Sequence, residues 1–438
     1  LERDLQGSDY PMLHEWIGTR DFGPSGASET NRFKEIGAML MKILRWSAVF
    51  LFFLIPGGIV CAQGDGPSED GVLAFTLLAN DGGIPEKSLP AEVAPDQTAP
   101  VGNRETFFSG VTFSGLIDAY YEFNFNRPST RENALRNFDI RHNQFSLNLL
   151  ELAMERKAEP LGFRVDLNFG DAAKMASASE PGGANLYQFL QQAYISYKAP
   201  VAKGLTVDLG KFVTPLGAEV IETPANYNYS RSLLFAWAIP YHHFGARISY
   251  PLTDKISLSG SLTNGWNNVV DNNGGKTAHV GLSLTPFSWL SIVQNYMVGP
   301  EQAENSEDKR QVLDTIVTIT LNEKLSLMGN YDYGMDRIAG VRSRYQGVAA
   351  YMRYAPSSRF AISPRVEWFT DPQGLATGSV QTLKEGTLTC EFKLRLDALL
   401  RAEFRHDWSN IQFFETRSGD LAHSQDTVAF GFIYLLGQ

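Results

Sequence analysis

From Phe107 to the end of the chain, apolar and polar side chains alternate residue by residue, in one segment after another. In the first segment Val111, Phe113, Ile117, Ala119, Tyr121 and Phe123 alternate with Thr112, Ser114, Asp118, Tyr120 and Glu122. A period of two puts successive side chains on opposite faces of a strand, whereas a helix would spread the same residues around its circumference. The pattern recurs: Phe163, Val165 and Leu167 against Arg164, Asp166 and Asn168; Phe360, Ile362, Val366 and Trp368 against Ser363, Arg365 and Glu367. It closes the chain with Val428, Phe430, Phe432, Tyr434 and Leu436. The reading predicts about sixteen strands, within a range of about 14 to 18 because segment boundaries blur by a few residues.

The connections carry a second signal. Short ones (157–161, 200–203, 252–254, 286–288, 322–323, 356–357, 396–397) alternate with long ones (127–140, 171–186, 214–242, 265–275, 300–310, 335–343, 371–382, 408–425). If neighbouring strands are antiparallel, all short turns fall at one end and all long loops at the other. A soluble β-sandwich also alternates along its strands. Charges on the second face of so many strands, with long loops at one end only, instead predict a closed antiparallel transmembrane β-barrel. Closure matters because a sheet edge in lipid would leave backbone groups without partners. Mean hydropathy is −0.18, which opposes a bundle of membrane helices. In a barrel that near-average value is the mean of an apolar outer row and a polar inner row. The net charge of −10, from 38 basic and 48 acidic residues, argues against nucleic acid as a partner. Trp237, Trp266, Trp289, Trp368 and Trp408 fall near predicted strand ends, where interface aromatics belong.

Upstream of the alternation the text is different. Met41-Lys42-Ile43-Leu44-Arg45 is a basic start, Trp46 to Val60 an apolar stretch, and Val60-Cys61-Ala62 a cleavage site. Residues 41–62 therefore read as a signal peptide. Residues 1–40 precede it and read as a mis-assigned or unstructured extension. Cys61 as a lipid attachment site fits poorly, because Gly58-Ile59-Val60 before it is not the small-residue pattern expected there. Residues 63–105, rich in Pro, Ala and acids, read as a flexible periplasmic linker, and 106–438 as the barrel. With Cys61 in the signal, only Cys390 remains, so no internal disulfide is expected.

Three runs add a resemblance. They are Lys211-Phe212-Val213-Thr214-Pro215-Leu216-Gly217 with Ala218-Glu219, then Asn226-Tyr227-Asn228-Tyr229-Ser230-Arg231-Ser232, then Asn264-Gly265-Trp266-Asn267-Asn268. Over roughly Phe107 to Gln438 the chain resembles the OmpL-like β-barrel porin family. The resemblance implies a bacterial outer-membrane barrel with pore activity and supplies no solute. Gly431-Phe432-Ile433-Tyr434-Leu435-Leu436 is similar to the C-terminal signal read by the barrel assembly machinery. The expected partners are outer-membrane lipid, small hydrophilic solutes and that machinery, with a homotrimer by fold analogy.

A barrel of this strand number encloses an aqueous lumen unless something fills it. The 214–242 loop is long enough to fold inward. It carries Glu219 and Glu222, while inward rows of later strands carry Arg353, Arg365, Lys393, Arg401 and Arg405. An acidic loop facing a basic wall would set a transverse field across a constriction. Local pairing with Glu367, Glu391 and Glu403 is the competing reading. With Asp118 and Glu122 on the first strand, acids outnumber bases on the polar faces, which predicts at most a slight cation preference. The rival functions are a plugged structural or adhesive barrel and an outer-membrane hydrolase built on His406, Asp407 and Ser409. His242-His243 reads as a solvated or interfacial pair. Asp271, Asn272 and Asn273 suit a turn better than Ca²⁺, and no metal, cofactor or phosphate-loop motif is present.

Overall fold

The structure is a computed structural model and describes residues 110–437, apart from 181–186, 202, 339 and 396. The readings made of residues 1–40, 41–62 and 63–105 lie outside the described residues. Sixteen strands form the wall. They are β1 Val111–Asn124, β2 Gln144–Arg156, β3 Leu161–Phe169, β4 Leu190–Ala199, β5 Leu205–Val213, β6 His242–Thr253, β7 Ile256–Thr263 and β8 Thr277–Phe287. The second half comprises β9 Leu290–Gly299, β10 Arg310–Asn322, β11 Leu325–Ile338, β12 Val341–Ser357, β13 Phe360–Asp371, β14 Gln381–Arg395, β15 Ala398–Ser409 and β16 Ser424–Leu436.

Each strand pairs antiparallel with its sequence neighbours, and β16 pairs with β1, so the sheet closes on itself. The alternation sorts the side chains as expected. On β1 Phe113 and Ile117 face outward and are exposed, while Asp118 and Glu122 face inward and are buried. Elsewhere Phe145, Ile195, Val280 and Phe430 stand exposed on the outside, and Asp166, Arg365, Arg401 and Asp407 are buried inside. This inverts a water-soluble core and suits an outer surface solvated by lipid. One bulge breaks the β1–β2 register between Asp118 and Ala119, opposite Asn148.

Some connections differ from expectation. The predicted 335–343 loop is instead a tight hairpin: β11 and β12 continue pairing through Met335↔Arg344 to Ile338↔Val341. The β15–β16 connection contains its own two-stranded ribbon, Phe414–Glu415 with Leu421–Ala422. Short helices occupy Asp171–Ala176 and Leu233–Trp237. None of the described helices is long and apolar enough to cross a membrane. Trp237 is not an interface residue. It lies in the second helix, packs against the interior cluster and donates its indole N–H to the Leu135 carbonyl at 3.3 Å. His242 and His243 are likewise buried rather than solvated, covered by Glu180 at 3.4 Å from His242 and by the Gly265 carbonyl and Thr214 on His243.

Candidate functional site: the inward loop and its wall

The connection between β5 and β6, residues 214–241, folds into the barrel. Leu216, Ile221, Tyr229, Leu233, Leu234, Phe235 and Ile239 are all nearly inaccessible. With Leu135, Phe138, Tyr345 and Phe369, most of them form the largest buried apolar cluster among the described residues. Glycines of the wall make room for them. A Cβ at Gly431 would lie 2.3 Å from the Tyr229 ring, and one at Gly347 would lie 2.6 Å from Leu234.

The wall's charged residues bind the loop mainly through its main chain. Arg401 donates to the carbonyls of Thr223 (2.8 Å), Asn226 (2.8 Å) and Asn228 (2.9 Å). Arg365 donates to the Ser230 carbonyl at 2.7 Å, and Arg405 to the Arg231 carbonyl at 2.6 Å. Acids take the complementary N–H groups. Glu403 accepts from Tyr229 N (2.6 Å) and Ser230 N (3.0 Å). Glu367 accepts from Leu233 N (2.9 Å) and Leu234 N (3.3 Å), at the start of the helix that Ser232 caps. An irregular loop removed from water must satisfy every such group, and charged partners make the stronger bonds.

Side-chain contacts complete the anchoring. Asp118 accepts from Thr223 Oγ1 at 2.5 Å and from the Tyr229 hydroxyl at 2.9 Å. Burial, reinforced by Asp118 beside it, pushes the Tyr229 phenol well above its ordinary range, so it remains a donor. Asp314 accepts Gly217 N at 3.0 Å, at the loop's entry. Asn267 accepts Tyr241 N at 2.6 Å and His242 N at 3.2 Å, at its exit. Loop 125–143 also turns inward. Its Arg136 is buried against Asp407 at 2.9 Å and Asp139, with Glu122 3.8 Å away.

Several residues expected to meet do so. Glu219 reaches the basic wall and touches Arg365 at 2.9 Å, so this acid and base are in contact rather than across a gap. The same Glu219 accepts Ser232 N at 2.6 Å. Local pairing operates as well: Arg401 with Glu391 at 2.6 Å, Arg353 with Glu391 at 2.7 Å, Arg365 with Glu385 at 2.8 Å and Arg405 with Asp407 at 2.8 Å. Glu222 is elsewhere, hydrogen-bonded by Gln191 of β4. Lys393 is exposed at the short-turn end of β14. Sequence reasoning missed Asn228, Asp314, Arg136 and the two glycines. Asp314 was visible only as a polar inward position, and a loop arginine gives no signal of its destination.

The hydrolase constellation does not assemble. His406 faces outward and pairs with Asp426 at 2.8 Å, Asp407 faces inward on the arginines, and Ser409 donates to Gln381 at 2.9 Å. Neighbours on one strand point to opposite faces. The Asp271-Asn272-Asn273 run forms a turn in which Asp271 accepts Asn273 N at 2.9 Å and pairs with Lys276. Among the described residues no cluster of three metal-ligating side chains is found.

Among solved structures, the fold is similar to the anion-selective porin from Comamonas acidovorans. The TM-score is 0.53 at 11% identity, covering 74% of this chain and 99% of that one. It is also similar to OmpT, an outer membrane protein of Vibrio cholerae, with a TM-score of 0.51 at 11% identity, covering 74% and 97%. At such identity the likeness is one of fold. Comparison with curated protein sequences finds no match. Residues 110–436 match the family model described as "Putative beta-barrel porin-2, OmpL-like", and the chain belongs to this family of outer-membrane barrel porins.

Proposed function

We propose that the chain is a bacterial outer-membrane porin that lets small hydrophilic solutes or ions diffuse passively, with loop 214–241 as its constriction. The family supports a channel in the outer membrane rather than an enzyme. The observation that carries the reading is the short-turn half of β7, β8 and β9. There the inward Ser257, Ser259, Ser283, Thr285 and Ser291 remain partly or fully accessible, whereas His279, Asn295 and Met297 nearer the long loops are buried, with Asn295 donating to the Pro215 carbonyl at 3.1 Å. Such a face offers hydrogen bonds without bulk, as a solute path requires. The buried charges near the loop largely cancel in pairs, which leaves weak selectivity with a slight cation preference. Export through a cleaved signal at 41–62, insertion through the C-terminal strand and assembly as a homotrimer belong to the same reading.

One observation favours a plugged structural barrel as the second reading. The centre of the loop, at Tyr229, Asn228 and Ser230, has almost no accessible surface. Liposome swelling and planar-bilayer recording separate the two. A porin equilibrates small sugars and shows reversal potentials near zero in a salt gradient, and a barrel with residues 218–238 replaced by a short linker conducts severalfold more. An intact chain that passes neither sugars nor ions, while the shortened one does, establishes the plug. A clear anion preference overturns the selectivity reading.

A further inference from the structure

At the long-loop rim above β1 the loops carry a group of cations that the inward loop 214–241 does not engage. Arg127, Arg131 and Arg417 meet, with His142, Phe123 and Asn143, around a surface cavity of about 550 Å³. The three arginines come from two different loops. All three are exposed, and none forms an ion pair with a described residue. Carboxylates of the same loops are engaged otherwise: Glu132 with Arg141 at 2.9 Å, Asp139 with Arg136, Asp420 with the Ser418 hydroxyl at 2.7 Å, and Glu415, at the cavity's edge, with the lining Ser129 and with Thr130. Three like charges held together without a counter-charge repel one another unless an anion joins them.

The backbone holds this arrangement at a cost. Arg127 and Arg131 sit at φ 53° and 60°, in the left-handed region that residues with a Cβ seldom adopt. They are fixed there by Arg127 N to Asn124 O at 3.0 Å, and by Arg131, whose N–H donates to Pro128 O at 3.1 Å while its carbonyl accepts His142 N at 2.9 Å. His142 is buried, and its Nδ1 accepts Asn124 N at 2.9 Å. The ring proton is thereby assigned to Nε2, a further donor. Burial, then Arg127 and Arg131, keep this imidazole below its ordinary pKa.

The cavity's height on the wall indicates what fills it. Immediately below lies a band of outward aromatics. Phe123 and Phe125 are 5.3 Å apart edge to face, and Tyr121 and Phe145 are 5.0 Å apart. Phe125 and Phe145 are largely exposed. The Tyr121 hydroxyl donates upward to Asn143 Oδ1 at 2.7 Å, and the Arg127 guanidinium lies 5.8 Å from the Phe123 ring centre. Rings with an apolar body outward and a polar tip toward a loop mark the headgroup level of a bilayer. Basic pockets at that level suit anionic headgroups.

We propose that this cavity binds the phosphate-bearing headgroup of a glycolipid in the leaflet facing the long loops. Arg127, Arg131 and Arg417 meet the phosphate oxygens, and the Phe123–Phe125 edge lies against the start of the acyl chains. The inference goes beyond conduction and stands whether or not the lumen is open.

The test titrates the refolded full chain in mild detergent with diphosphoryl lipid A, with dephosphorylated lipid A and with inorganic phosphate. Binding is read by native mass spectrometry and folding by heat-resistant gel mobility. The diphosphoryl form should bind saturably. Dephosphorylation, or the triple variant Arg127→Gln, Arg131→Gln, Arg417→Gln, should weaken binding at least about tenfold. The paired variant Arg342→Gln, Arg344→Gln, on the β11–β12 hairpin, should leave it unchanged. The proposal is overturned by absent binding, by a triple variant that binds normally, or by equal loss in the hairpin variant. It is also overturned if inorganic phosphate displaces the lipid with comparable affinity, since the cavity is then a free-anion site. Should the triple variant fail to fold, Arg417→Gln alone decides: about a threefold loss supports the site, and unchanged affinity overturns it.

Discussion

Arg401 shows how single residues hold this lumen. Its five donors are spread over one carboxylate and three loop carbonyls, a fork that lysine cannot reproduce. Arg401→Ala leaves the three loop carbonyls without their buried donor while Glu391 keeps Arg353, and should cost on the order of 3 kcal/mol. The measurement is the guanidinium unfolding midpoint of the refolded barrel. Arg401→Lys should fall between, and an unchanged midpoint for the alanine variant would mean that water replaces the guanidinium freely. At this scale the sequence was partly legible. Arg365, Arg401 and Arg405 stood out because charges in an alternating strand must face the lumen, and Glu219 because its loop is long. Their true partners were not legible, since the arginines bind loop main chain, which looks the same in every sequence. Gly431 was read as part of a C-terminal signal, and its second role, a slot for the Tyr229 ring, depends on a contact some two hundred residues away.

At the scale of elements, strands were the easiest to read, because a period of two is a local property. Loops were hardest, because their fold is set by what they touch. The tight β11–β12 turn was read as a long loop since Asp336, Arg337, Arg342 and Arg344 look like loop text, yet they continue the ladder. The ribbon in the β15–β16 connection is another case. Its Glu415 accepts from Ser129 and Thr130 of the β1–β2 loop and so clasps two loops together. Burial acts to raise this carboxyl, but the Ser129 and Thr130 hydrogen bonds outweigh it, and the net shift is downward. A carboxyl lowered on folding stabilises above its unfolded value, about 4.3, and that contribution fades as pH falls through the lower folded value. Acidification from pH 5 to below pH 4 should therefore loosen the clasp. Protection of the Thr130 amide, taken relative to its intrinsic exchange rate at each pH, should fall over that window, and Glu415→Gln should show the low protection already at pH 6. Pepsin-coupled mass spectrometry reads both, and pH-independent protection in the parent protein would refute the clasp.

For the whole molecule, the wall could be deduced before the structure but the filling could not. Alternation and connection lengths require a closed sheet. Nothing local states that two loops enter it and build an apolar cluster inside. That cluster has a consequence at the line where the barrel shuts. Tyr229 reaches Asp118 on the first strand with its hydroxyl and lies against Gly431 on the last with its ring. The loop thus bridges the only junction that chain order leaves until the end, as a rivet through the overlap of a rolled plate. The contact predicts that rolling the plate and setting the rivet are one kinetic event, with no empty cylinder populated on the way. Tyr229→Ala should slow the appearance of the heat-resistant form in vesicles severalfold, whereas Ser259→Ala, far from the junction, should not. Equal rates for both would separate the rolling from the rivet.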